Sequence, residues 1–112
     1  MRYAMLIVSD ESLEEAASPE EKKAHEGEIW AWFERWDGHF GEGGAEFQRT
    51  ATARTIRGGV VTDGPYVELK EVIGGIVFLE ADTLDAAVEI AATWPGLKYP
   101  YVSVEVRGTV TR

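Results

Sequence analysis

Side chains able to move protons or hold a charged ligand cluster in one short stretch: Asp63, Tyr66, Lys70 and Glu71, around a Gly64-Pro65 turn. Glycine opens backbone angles closed to other residues, and proline fixes its own φ and restricts its predecessor, so the turn has a stiff shape. Asp63 would serve as a general base if a cleft raised its pKa toward neutrality. The same carboxylate could instead close an Asx turn on the Gly64-Pro65 backbone. Lys70 could hold an anionic substrate group, Glu71 could shuttle a proton, and Tyr66 adds a hydroxyl donor between Asp63 and Lys70. Neighbours entering a strand point to opposite sides, so Lys70 and Glu71 do not both face one pocket.

His25 and His39 are the side chains that titrate near neutrality without perturbation. His39 sits in a Gly38-His39-Phe40-Gly41 loop, where it could reach a cleft and act as an alternative base. His25, among Lys, Glu and Gly on a helix and four positions before Ile29, reads as a solvated or edge histidine. Two histidines with scattered carboxylates lack a metal-ligand spacing, and no metal or other cofactor is expected. Gly41-Glu42-Gly43-Gly44 does not stand between a strand and a helix, so it is not a phosphate loop. Trp32 and Trp36 read as core, Trp30 as a helix-edge or dimer contact, and Trp94 as helix-end packing or a pocket wall.

The elements that must carry these residues follow from periodicity. Residues 2–8 are apolar on both alternating sets, the pattern of a strand covered on both faces. Ser18-Pro19-Glu20-Glu21 is a capping box with Pro at the first helical position, and Ile29, Trp32, Phe33 and Trp36 recur at helical spacing, predicting a helix over 19–37. Gly38 to Gly44 reads as a loose connection. A strand is expected from Glu46 to Arg57, then a Gly58-Gly59 hairpin turn into Val60-Val61-Thr62. Residues 72–81 form a second two-sided apolar strand. Asp82 or Thr83 caps a second helix with Leu84, Val88, Ala91, Ala87 and Trp94 as its buried stripe, which Pro95-Gly96 ends. A last strand, 101–107, places Val102, Val104 and Val106 on one face.

This order, β-α-β-β-α-β with a small extra hairpin, predicts a ferredoxin-like α+β sandwich with an antiparallel sheet, one domain over residues 1–112. Two helices cover one sheet face. The two-sided apolarity therefore predicts a homodimer packing sheet against sheet, with Met5, Ile7, Val77 and Leu79 as the patch to be covered. A concave pocket for an apolar ligand is a compatible solution. The formal net charge of −9 without a basic cluster argues against nucleic-acid binding. No apolar run approaches the roughly 20 residues of a membrane span. The N-terminus reads as a strand and not a signal peptide, and the absence of cysteine fits a cytoplasmic protein.

With the elements placed, the chain resembles the YCII-related family in its Asp-Gly-Pro-Phe-type branch, over nearly its whole length. The resemblance rests on Asp10-Glu11 after the first strand, Thr50 to Arg57, Thr62-Asp63-Gly64-Pro65-Tyr66, Lys70-Glu71 and Gly74-Gly75. Glu80 to Ala87, Trp94-Pro95-Gly96 and Val102 to Arg107 extend it. Tyr66 stands where Phe is usual, and Leu69 replaces a small or hydroxyl residue. The resemblance implies a dimeric αβ-barrel-like assembly with a cleft beside the sheet. It implies either lyase- or isomerase-type chemistry on a small organic acid, or a non-catalytic dimer holding a metabolite or partner. Relatives of another branch carry a His–Asp acid/base pair, whose histidine has no counterpart in the first strand or at the start of the first helix. The candidate residues are therefore Asp63 or His39 as base and Lys70, Tyr66 and Glu71 as ligand contacts.

Overall fold

In the computed structural model, residues 1–65 and 70–112 are described, so Tyr66 lies outside the described residues. Strand β1 (Arg2–Asp10) is central, pairing antiparallel with β5 (Glu71–Glu80) on one side and β6 (Val102–Gly108) on the other. β2 (Phe40–Glu46) extends the sheet beyond β5, giving the order β2-β5-β1-β6. A separate hairpin of β3 (Arg54–Arg57) and β4 (Val60–Asp63) turns at Gly58-Gly59. Helices α1 (Glu11–Glu15), α2 (Pro19–Arg35) and α3 (Leu84–Ala91) complete a ferredoxin-like α+β fold with the β-α-β-β-α-β core intact. Among the described residues no helix is long and apolar enough to cross a membrane.

Local chemistry starts each helix. The Ser18 hydroxyl accepts the Glu21 N–H with Pro19 in the first turn of α2, and the Thr83 hydroxyl accepts the Ala86 N–H at the start of α3. Asp10 caps α1, its Oδ1 accepting from the Ser12 and Leu13 N–H groups. The core gathers Tyr3, Met5 and Leu79 from the sheet, Trp32 from α2, Ala87 and Ile90 from α3, and Trp94. One polar device joins the two longer helices: Thr93 Oγ1 accepts from Trp32 Nε1 and Trp36 Nε1, each at 2.9 Å, and donates to the Ile90 carbonyl at 2.6 Å.

Three expectations are corrected. The glycine-rich stretch is strand β2 and not a loose connection, while the strand expected from Glu46 to Arg57 shrinks to β3. Glycine permits that strand: Gly44 has φ +106°, and a Cβ there would meet the Ile76 carbonyl oxygen at 2.8 Å. The buried stripe of α3 is Ala87, Ile90 and Ala91, whereas Leu84 and Val88 are 49% and 45% exposed. Spacings of three and four put Ala87, Ile90 and Ala91 on one face, and the small alanines let the helix lie close on the sheet.

The third correction concerns the uncovered sheet face. Tyr3 pairs with Leu79 and Met5 with Val77, so these side chains share a face, and it is the face under α2 and α3. Met5 and Leu79 are fully buried within the chain itself. The opposite face carries Ala4, Leu6, Val8, Ile76 and Phe78, none of which belongs to the core cluster. Both sets are apolar, so alternation could not choose between them.

Thr93→Val keeps the shape of the side chain but leaves two indole N–H groups without an acceptor. Urea unfolding should show a loss of about 2–4 kcal/mol, since each buried donor left unpaired costs about 1–3 kcal/mol. An unchanged midpoint would show that water serves these donors equally well.

Candidate functional site

α2 leans chiefly on the 3₁₀ turn Pro95–Lys98, which follows α3 and lies next to β6. Towards β5 and β2 it reaches the sheet through side chains, Trp32 and Phe33 meeting Phe40 of β2 at 5.4 and 5.1 Å between ring centroids. A cavity of about 800 Å³ opens there. Ile7 and Val77 on the sheet, with Ile29, Phe33, Phe40 and Trp94 opposite and around them, give it an apolar and largely aromatic lining. Phe33 and Phe40 lie 5.1 Å apart between ring centroids and Trp32 meets Trp94 edge-on at 4.9 Å, so aromatic packing stiffens this wall.

Polar groups converge at one end. His25 lies on the same face of α2 as Ile29 and Phe33, at successive spacings of four, and lines the cavity. Its ring meets Tyr99 edge-on at 5.4 Å, and Tyr99 stacks on Tyr101 at 5.2 Å. Nδ1 of His25 is buried and has no hydrogen-bond partner among the described residues. Burial, and then the nearby Lys98 ammonium, push the imidazole pKa below its ordinary value of 6.5, against smaller opposing effects of Glu28 and Glu14. The Lys98 ammonium is itself held by Glu28 Oε1 at 2.6 Å, which ties the 3₁₀ turn to α2 beside the imidazole. On the sheet side, buried Ser9 donates through Oγ to Glu14 Oε1. Burial also raises the Tyr101 phenol above its usual value, with Tyr99 and Glu14 adding to the effect.

A neutral imidazole on the wall of an apolar chamber is suited to accept a proton from a bound molecule. A carboxylate anchored by a buried hydroxyl is suited to accept a hydrogen bond from one.

The residues expected from the sequence are not gathered around this cavity. Asp63 lies on the separate hairpin, its side chain 89% exposed and paired with Arg54 Nε at 3.0 Å. Its neighbour Gly64 has φ +79° and is tied back to the hairpin, donating to the Ala53 carbonyl and accepting from Thr55 Oγ1. Lys70 is exposed and close enough to Asp10 to help lower that carboxyl's pKa, behind the larger effect of the Ser12 hydroxyl. Glu71 is exposed opposite Asp10 at the end of β5. His39 is exposed and packs edge-on against Trp36 at 5.6 Å. None of these four lines the cavity. The available signal for His25 was its spacing of four and eight from Ile29 and Phe33, which puts an imidazole on an apolar stripe. Ser9 and Glu14 gave no such signal, because Ser9 is one small polar residue at the end of β1 and α1 is too short a helix for its pattern to be read.

A histidine whose folded pKa lies below its unfolded value binds protons more readily when unfolded. Its contribution to stability is present above the unfolded value and is lost as pH falls toward the folded one. Between about pH 7 and about pH 5 the Tm of the wild type should therefore fall more steeply than that of His25→Gln. Equal slopes would place the His25 pKa at its ordinary value.

Comparison with known proteins agrees with this architecture. The fold is similar to that of 5-chloro-2-hydroxyhydroquinone dehydrochlorinase (TftG) from Burkholderia phenoliruptrix AC1100, solved in complex with 2,5-dihydroxybenzoquinone. The TM-score is 0.57 at 14% sequence identity, covering 98% of this chain and 94% of that one. No curated protein sequence matches the chain. The profile of the YCII-related domain matches residues 1–107, and the chain belongs to that family.

Proposed function

We propose that this YCII-related protein binds a small, partly apolar ring compound between α2 and the sheet, and that His25 is the base of a lyase- or isomerase-type reaction there. The observation that carries this reading is the His25 imidazole on the wall of a cavity of about 800 Å³, with burial lowering its pKa. That volume is within the range of small-molecule sites, which are mostly apolar with a few convergent polar groups. The structural neighbour supports the substrate class, since its ligand is a hydroxylated quinone and dehydrochlorination needs an acceptor for the proton of the departing HCl. In this chain His25 would take a proton from a ring hydroxyl. The resulting electron pair can move into the ring and expel a leaving group, or shift a double bond with return of the proton.

Trp30 and Trp94 line the cavity, so binding can be read by quenching of tryptophan fluorescence. With hydroxyhydroquinone and hydroquinone as first probes, His25→Ala should retain quenching and slow any turnover by about 10²–10⁴-fold, the usual worth of a general base. Asp63→Asn should leave both unchanged. Turnover lost in Asp63→Asn but kept in His25→Ala would move the site to the hairpin. Quenching without turnover in the wild type would favour the non-catalytic metabolite-binding reading.

The same reading includes a homodimer. Leu6, Ile76 and Phe78 on the sheet face outside the core cluster are half-buried, Phe78 beneath the Arg2 guanidinium at 3.9 Å, and Ile56, Val60 and Val61 on the hairpin are 73%, 62% and 60% exposed. An isolated two-stranded hairpin is marginal in water, so a second copy against it would also stabilise it. Light scattering should give a dimer at micromolar concentration; a monomer would contradict this.

A further inference from the structure

Acid dominates the charged lining of the cavity. Glu11, Glu14, Glu15, Glu21, Glu26 and Glu46 line it against Lys22 and Arg49. Arg49 is already engaged, with Nη1 at 2.9 Å from Glu15 and Nε at 3.7 Å from Glu11. Glu11 is engaged as well, since its carboxylate accepts from the Thr50 hydroxyl at 2.6 Å and from the Thr50 N–H. Glu14 differs. Ser9, only 2% exposed on the sheet floor, holds its Oε1, and no other hydrogen bond or ion pair engages Glu14 among the described residues. A carboxylate with one oxygen anchored from below keeps the other as an acceptor, and it cannot swing away without leaving the buried Ser9 hydroxyl unpaired.

We propose that Glu14, positioned by Ser9, makes this cavity select uncharged, hydroxyl-bearing rings over their carboxylate counterparts. The proposal rests on the cavity being the ligand site, as argued above. A ligand hydroxyl can donate to Glu14, gaining a charge-assisted hydrogen bond. A ligand carboxylate in the same place has no donor to offer and meets a fixed negative charge at short range, with five further glutamates around the lining and the local cations partly neutralised. Substrates of the anionic kind expected from Lys70 are therefore disfavoured here.

The test uses 4-hydroxybenzyl alcohol and 4-hydroxybenzoate, which share a phenol and differ in the carboxylate. Titrations by tryptophan fluorescence, at a pH where the benzoate is ionised, should show the wild type preferring the alcohol. In Glu14→Gln that preference should fall about tenfold, the difference between a charged and a neutral hydrogen bond, and chiefly through better binding of the benzoate. Ser9→Ala, which keeps the charge but frees it, should move the ratio in the same direction. The melting temperature of each variant reports whether the fold is kept. An unchanged ratio in a folded Glu14→Gln variant overturns the selectivity proposal and leaves the ligand site standing. Failure of both probes to bind the wild type overturns both.

Discussion

Thr93 Oγ1 is the point on which the helical layer depends. Two indole N–H groups, from Trp32 in α2 and from Trp36 at its C-cap, end on one hydroxyl just beyond α3, and that hydroxyl in turn donates to the Ile90 carbonyl. Buried indoles need acceptors, and few side chains could serve both donors at that spot. The arrangement fixes α2 against the α3 end of the molecule. It also sets how α2 lies over β5 and β2, where the cavity opens beside the Phe33–Phe40 contact. Packing economy and site geometry are thus consequences of the same contact.

The chemistry of the cavity follows from where charge is admitted. His25 is carried partway out of water on an apolar stripe, and Lys98 stands close by, so the uncharged imidazole is favoured. Glu28 holds Lys98 in place, and because both side chains are about half exposed the bridge serves position more than stability. On the other side, Ser9 anchors one of the lining carboxylates, Glu14, at the edge of the apolar floor. The two polar groups come from α2 and α1, elements that meet across the cavity because β1 runs directly into α1 at Asp10.

The sequence was most legible where periodicity was long or capping was explicit. Ser18-Pro19-Glu20-Glu21 and the Ile29, Trp32, Phe33, Trp36 spacing place α2 to within two residues at its end, and the Gly58-Gly59 turn lies where its hairpin signal put it. Two-sided apolar strands marked the sheet but not its faces, because choosing a face needs the helix positions. β2 was illegible for a steric reason: its glycines make room for the Ile76 backbone and leave no alternating pattern behind. The candidate site was harder still. The turn around Asp63 has a defined shape, and a defined shape at a carboxylate suggests chemistry, yet the structure uses that carboxylate in an exposed ion pair with Arg54. His25 looked solvated among its charged neighbours in sequence, although helical spacing puts it over Ile29 and Phe33.

The central claim, that the space between α2 and the sheet is where a ligand meets His25, is tested most directly by a crystal structure with hydroxyhydroquinone bound. The account predicts density for the ring against Ile7 and Val77 with an oxygen within hydrogen-bond reach of the His25 imidazole. Density beside Asp63 and Lys70, with the α2 cavity filled only by water, would contradict it.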